Sequence, residues 1–192
     1  MKILTCPQGS KEWLDQRKKH VTGTDAAKIL GLSPWGSAHD VFLDKIGEAP
    51  PFFINPAMKY GTEMEPIIRE NYESLRDEWF PSAVITNDAG WALSSLDGIS
   101  SCMTSILEIK TCNAKVFVDS LKGKIPDYYM SQAQFAMMCA ETALAVEFVF
   151  FHKEEYAYVT VKRDDDYIEE MKEKCFEFYN QSIVNSHGAK VV

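Results

Sequence analysis

The stretch that most narrows what this chain can become lies mid-sequence. There Leu93-Ser94-Ser95-Leu96-Asp97-Gly98 is followed by Ile106-Leu107-Glu108-Ile109-Lys110-Thr111. Both runs read as strands, and the Asp-Gly pair reads as a turn signal. Side chains alternate between the two faces of a strand, so Glu108 and Lys110 share one face while Leu107 and Ile109 share the other. The apolar pair can pack into a core. A carboxylate and an ammonium are then left side by side, and Asp97, ending the preceding strand, can meet them across residues 98–105.

The flanks frame this segment with helices. Ser10 and the Thr22-Gly23-Thr24-Asp25 run are N-terminal caps, and Gly31 and Gly47 are stop signals. Helices are expected over 10–20, 22–31 and 37–46, then a long one from 57 or 61 to 77. Strands are expected over 83–86, 91–95, 106–111, 143–151 and 156–162. Further helices are expected over 114–121, 127–141 and 165–184. Helices at both ends of a short central sheet make an α/β or α+β domain.

Composition removes whole classes. The 192 residues are 46% hydrophobic and 25% charged, as expected of one globular domain spanning 1–192. No apolar run reaches the roughly 18 residues of a membrane span, and the N-terminus lacks the apolar core of a secretory signal. The five cysteines are scattered, which argues against a disulfide framework, a zinc site or an iron–sulfur cluster and for free thiols in a reducing cytoplasm. The histidines, His20, His39, His152 and His187, show no ligand spacing. A formal net charge of −8 argues against nucleic acid as a partner, because phosphate neutralisation needs a basic footprint. The sum hides a division: acids crowd residues 164–177, while bases gather at Arg17-Lys18-Lys19-His20 and at Lys110, Lys115, Lys122 and Lys124.

Two carboxylates with a lysine suit phosphodiester hydrolysis. Mg²⁺ takes carboxylate oxygens and activates a water, and a lysine orients that water or steadies the developing negative charge. Spelling alone proves little, because Glu170-Met171-Lys172 has the same pattern on a stretch expected to be helical, where residues two apart do not face one another. A surface ion pair therefore stands beside the nuclease site as a reading of Glu108 and Lys110.

Further segments bear on the choice. Asp97 followed by Glu108-x-Lys110 on a strand resembles the signature of the PD-(D/E)xK nuclease superfamily. Trp13-Leu14-Asp15-Gln16-Arg17 with Thr22-Gly23-Thr24-Asp25-Ala26, then Gly61-Thr62-Glu63-Met64-Glu65, then Tyr129-Met130-Ser131-Gln132-Ala133-Gln134, resemble successive blocks of the lambda exonuclease and YqaJ-type viral recombinase family. These blocks stand in the family's order and span roughly residues 13–150. Two departures are visible: the gap from Asp97 to Glu108 is a residue longer than in lambda exonuclease, and Thr24 stands where that protein has a serine.

The resemblance implies a restriction-endonuclease-like core, a central mixed sheet flanked by helices. It implies metal binding by Asp97, Glu108 and Glu65, catalysis by these with Lys110, and a 5′-phosphate pocket of Arg17, Thr24, Ser95 and Gln134. Gln132 and Gln134 face different sides of their helix, and Gln134 is the one favoured here. Mg²⁺ is the implied cofactor, with Mn²⁺ an acceptable substitute. The implied reaction is 5′→3′ digestion of linear double-stranded DNA to 5′-mononucleotides and a 3′ overhang. A homotrimeric ring, a single-strand annealing protein and a phage or prophage gene acting in a bacterial cytoplasm are also implied. Bland readings remain: Glu65 as an i,i+4 partner of Arg69, Trp13 as core, and Met58 as packing rather than a wedge between bases. A structure-specific or restriction-type endonuclease and a non-catalytic DNA-binding module are the rival functions.

Overall fold

The computed structural model describes residues 1–51 and 53–184. Strand β1 (Lys2–Leu4) is followed by helix α1 (Lys11–Lys19), whose N-cap Ser10 Oγ accepts a hydrogen bond from Trp13 N at 3.1 Å. A two-residue strand, β2 (Val21–Thr22), runs directly into α2 (Gly23–Ile29). Thr22 and Asp25 form a reciprocal capping box there, satisfying donors that a helix start leaves unpaired. Ser37 and Asp40 do the same for α3 (Ala38–Ile46), which ends at Gly47 in a left-handed conformation. Helix α4 (Pro56–Arg76) starts from an Asn55 cap with proline in its first turn and carries Pro66 inside it.

The middle of the chain supplies strands β3 (Ala83–Thr86), β4 (Ala92–Leu96), β5 (Gly98–Ile99) and β6 (Ser105–Thr111). Helices α5 (Ala114–Ser120) and α6 (Asp127–Cys139) then cross over to β7 (Ala145–His152), which lies parallel to β6. Strand β8 (Glu155–Lys162) returns antiparallel. Helix α7 (Asp165–Phe178) closes this part and runs into a π-helical turn (Tyr179–Val184), so the expected 165–184 helix is regular only over its first part.

The strands form two mixed four-stranded sheets, in the orders β1-β3-β4-β2 and β5-β6-β7-β8. The chain passes from the first to the second at Asp97, between β4 and β5. Gly98 makes that passage possible, because a Cβ there would come within 2.8 Å of both the Cβ and the carbonyl oxygen of Phe80. Three short strands, β1, β2 and β5, lay below what sequence pattern reveals: two or three residues are too few to show alternation.

Strand β7 is the densest part of the core, with Val146, Phe148, Val149 and Phe150 fully buried. Phe148 and Phe150 face α6, while Val149 and Phe151 join Leu107 and Ile109 beneath Ile68 and Tyr72 of α4. Helices thus cover both faces of this sheet, which is why 143–151 reads as an apolar run rather than an alternating one. The five cysteines are free thiols. Among the described residues, no helix is long and apolar enough to cross a membrane.

Candidate active site

Strand β5 pairs with β6 only at Ile106 and Leu107, so the edge of β6 is open from Glu108 onward. Asp97 occupies that edge: its Oδ2 accepts a hydrogen bond from Ile109 N at 2.8 Å, a side chain standing where a neighbouring strand would otherwise continue the ladder. Glu108 and Lys110 project together, as their spacing requires, and the Lys110 Nζ lies 2.5 Å from Glu108 Oε1. The ammonium also sits 5.2 Å above the ring of Tyr129 on α6, a cation–π contact. From the other side α4 presents Glu65, ion-paired with Arg69 one turn on. The i,i+4 pairing with Arg69 is present, and the acidity of Glu65 also responds to Asp97 and Lys110.

The electrostatics describe two cations, Lys110 and Arg69, among three acids. Burial pushes Glu108 up to about 7 against the pull of Lys110, with Asp97 and Glu65 adding to the rise. Burial likewise raises Asp97, opposed by Lys110 and the Ile109 N–H. Burial raises Glu65, and Asp97 raises it further. Lys110 goes the other way: burial would depress it, but Glu108 and Asp97 outweigh burial and hold it charged. Mutual repulsion among partly desolvated acids is an energetic cost for a fold, and it marks sites whose carboxylates serve a further purpose.

The oxygen-only donor set and the surplus of negative charge fit a hard divalent cation. As they stand, no three acidic, histidine or cysteine side chains among the described residues form a ready-made cluster. Glu65, Asp97 and Glu108 are linked through their acidities.

A second group lies along β4. Arg17 Nη2 donates to Thr24 Oγ1 at 3.2 Å, and its guanidinium stacks 4.7 Å above the Trp13 ring. Trp13 Nε1 in turn donates to Ser95 Oγ at 2.8 Å. Trp13, half-buried, is thus a bridge that brings Arg17, Thr24 and Ser95 together rather than a plain core residue.

Gln134 is elsewhere and corrects the expectation. It is 1% exposed, its Nε2 donates to Lys162 O at 2.9 Å and its Oε1 accepts from Asp164 N at 3.0 Å. The amide ties α6 to the start of α7. Its neighbour Gln132 is the one beside the Arg17 group, its Cγ 3.2 Å from where a Cβ on Gly23 would stand. Helical spacing carried this signal: Gln132 is three residues from Tyr129 and shares its face, whereas Gln134 does not.

The remaining sequence readings resolve simply. Glu170 and Lys172 lie on α7, where Lys172 pairs with Glu169 instead. Met58 lies partly exposed in the first turn of α4. His20 hydrogen-bonds Gln16 O and His152 hydrogen-bonds Cys112 O, both structural roles; His39 is exposed, and His187 lies outside the described residues. One buried ion pair, Asp25 with Lys45, had no sequence signal, because the partners lie twenty residues apart on two helices.

Comparison with known proteins places this arrangement. The YqaJ-like viral recombinase domain model matches residues 12–143. The uncharacterized protein YqaJ of Bacillus subtilis (strain 168) is 27% identical over 183 residues, covering 92% of this chain and 57% of that protein. The uncharacterized protein R354 of Acanthamoeba polyphaga mimivirus is 28% identical over 155 residues, covering 73% of this chain and 28% of that protein. The chain thus spans a little over half the length of one relative and about a quarter of the other. Among solved structures, LHK-Exo, an alkaline exonuclease from Laribacter hongkongensis, superposes with a TM-score of 0.79 at 24% identity, covering 94% of this chain and 96% of that one. A phage related exonuclease from Haemophilus somnus 129PT superposes with a TM-score of 0.64 at 16% identity, covering 86% and 96%. The fold is shared with these two proteins. The family match takes in Arg17, Thr24, Glu65, Ser95, Asp97, Glu108 and Lys110 together, and the chain belongs to the YqaJ-like viral recombinase domain family.

Proposed function

We propose that this chain is a single metal-dependent nuclease domain that digests linear double-stranded DNA from the 5′ end, releasing 5′-mononucleotides and leaving a 3′ single strand. The observation that carries the reading is the Glu108–Lys110 pair at the open edge of β6, with Asp97 bound to the next amide along that edge. Glu65 on α4 is near enough for its acidity to respond to Asp97 and Lys110. The fold shared with two exonucleases supports it.

Glu65, Asp97 and Glu108 would hold Mg²⁺ or Mn²⁺, which supplies phosphate charge neutralisation and a more acidic water. Lys110 contributes a positive charge, which Glu108 and Asp97 favour. Glu108 and the Tyr129 ring aim the ammonium, so it can meet charge developing on the scissile phosphate without reorganising. Arg17 offers a planar fork for a terminal phosphate dianion. Ser95 Oγ accepts from Trp13, leaving its own hydroxyl proton free to donate to a phosphate oxygen. Thr24 and Gln132 complete this pocket in place of Gln134.

Ser95 on β4 and Asp97 just past its end lie two residues apart, a step of about 7 Å. A terminal phosphate held at Ser95 then sets the next phosphodiester beside Asp97, which suits removal of one nucleotide per cut. A homotrimeric ring would let three weakly basic inner surfaces enclose DNA that one acidic chain holds poorly. A single-strand annealing protein would receive the exposed 3′ strand in the cytoplasm of a bacterial host.

The test is a 5′-phosphorylated linear duplex labelled at either end, incubated with Mg²⁺ beside a covalently closed circle. Immediate release of the 5′ label as mononucleotide, with the circle intact, is expected. Cutting of the circle would move the protein to the endonucleases. No cleavage with any divalent metal would leave a DNA-binding module.

A further inference from the structure

Trp35 is 67% exposed, an unusual placement for the side chain with the largest apolar surface. The loop that carries it is held firmly. Leu32 N and Ser33 N both donate to Ala27 O at 2.9 and 3.1 Å, and Trp35 N donates to Ser33 Oγ at 3.2 Å. A single exposed apolar residue needs no explanation by itself. This one begins a line of rings. Its centroid lies 4.8 Å from that of Tyr128 at an interplanar angle of 72°, and Tyr128 lies 4.5 Å from Tyr129 at 65°. Tyr129 is the ring beneath the Lys110 ammonium, 5.2 Å away. Three aromatic side chains thus run unbroken from solvent to the lysine of the candidate active site.

An edge-on contact covers at most one face of the indole, so at least one face of Trp35 remains open. Lysines lie on the flanking segments. A Cβ on Gly36 would stand 3.3 Å from both Lys28 Cε and Asp40 Oδ2, and the exposed Lys122 and Lys124 lie on the segment entering α6 just before Tyr128. Flat apolar faces interleaved with lysines suit a single strand of nucleic acid, whose bases stack while its phosphates seek cations.

We propose that Trp35 and Tyr128 form a stacking platform for an unpaired nucleobase of the DNA strand whose phosphate lies at Lys110. The platform rests on the nuclease reading and deepens it: it holds the frayed end of a duplex by a base as well as by its phosphates. Stacking on a π-face is tolerant of base identity, so the platform selects for unpairing and not for sequence.

The experiment uses the full chain in EDTA with a 5′-phosphorylated duplex whose terminal bases are mismatched and carry 2-aminopurine. Wild-type protein should quench the fluorophore on binding. Trp35→Ala and Trp35→Leu should abolish the quenching and weaken binding by about 5- to 100-fold, while Trp35→Phe should keep most of both. Leucine preserves apolar bulk without a ring, so it separates stacking from simple burial, and circular dichroism checks that each variant is folded. Replacing the unpaired base by an abasic residue should cost the wild type the same factor and cost Trp35→Ala nothing more. Unchanged affinity and quenching in the folded alanine and leucine variants would overturn the platform while DNA binding and cleavage stand. Absence of DNA binding by the wild type, together with no cleavage of the same duplex in Mg²⁺, would overturn the nuclease reading itself, and the platform with it.

Discussion

Lys45 lies 2.6 Å from Asp25, and Lys110 lies 2.5 Å from Glu108, yet these two buried pairs behave in opposite ways. At the first, one acid lies under the influence of two cations, and its Oδ2 is well supplied with donors. Asp25 Oδ2 accepts from Thr22 N and Thr22 Oγ1, and Lys45 also donates to Arg17 O at 2.8 Å. Burial alone would raise Asp25, but Lys45 and then Arg17 outweigh it and hold the carboxyl below its usual range. At the second, Lys110 and Arg69 serve three acids between them, and burial wins for Glu108. The first pair is a staple between α2 and α3. The second is left in an uncomfortable charge state. Charge balance, not burial or distance, separates the two pairs here.

The sharpest way to break this comparison is Lys45→Met. It leaves an uncompensated buried carboxylate, so it should cost about 3–5 kcal/mol of folding stability by urea denaturation. Adding Asp25→Asn should recover much of that loss. A cost below about 1 kcal/mol would mean that the pair is no staple. Lys110→Ala is the counterpart. It should slow DNA cleavage by at least about 10²–10³-fold while DNA binding in EDTA and the unfolding midpoint change little. Undiminished activity would remove Lys110 from the site.

Arg17 joins the two regions, because its carbonyl belongs to the staple and its guanidinium to the proposed phosphate pocket. Arg17→Gln should therefore reduce the preference for 5′-phosphorylated over 5′-hydroxyl ends by about 10–100-fold, the worth of one charge-assisted contact. Stability should hold within about 0.5 kcal/mol. A large loss of stability with unchanged end preference would assign Arg17 to the staple alone.

The smallest effect is a pair of opposed pH slopes, measured in EDTA. The folded-state acidity constant of Asp25 lies below its ordinary 3.8, so its stabilisation is present at neutral pH and lost as pH falls through that value. Glu108 is raised from 4.5 to about 7, so proton uptake stabilises the folded state below 4.5 and that gain is lost as pH rises through 7. Wild-type stability compared with Glu108→Gln should thus decline between about pH 5 and pH 8. Compared with Asp25→Asn it should decline only on the acid side. Parallel slopes would erase the distinction.

Much of this was legible without coordinates. Period-two alternation put Glu108 and Lys110 on one face, and both lie together. Ser10, Asn-Pro and Asp-Gly punctuation set the element ends, because caps and turns are local chemistry written in adjacent residues. Gln134 was misplaced for an instructive reason: either glutamine fits the motif, and only the packing of α6 shows Gln134 spent on Lys162 O and Asp164 N. Trp13 as bridge, Lys45 as staple and Tyr129 beneath Lys110 all pair residues distant in the chain.

By itself, then, the sequence determined the helices and longer strands, the shared face of Glu108 and Lys110 and the order of the motif blocks, since all of these follow from neighbours within a few residues. Only the tertiary structure decided which lysine balances its acid and which lies among surplus acid. That outcome depends on how many acids each ammonium meets after folding and on how far water is excluded from them, and neither quantity exists until distant segments pack together.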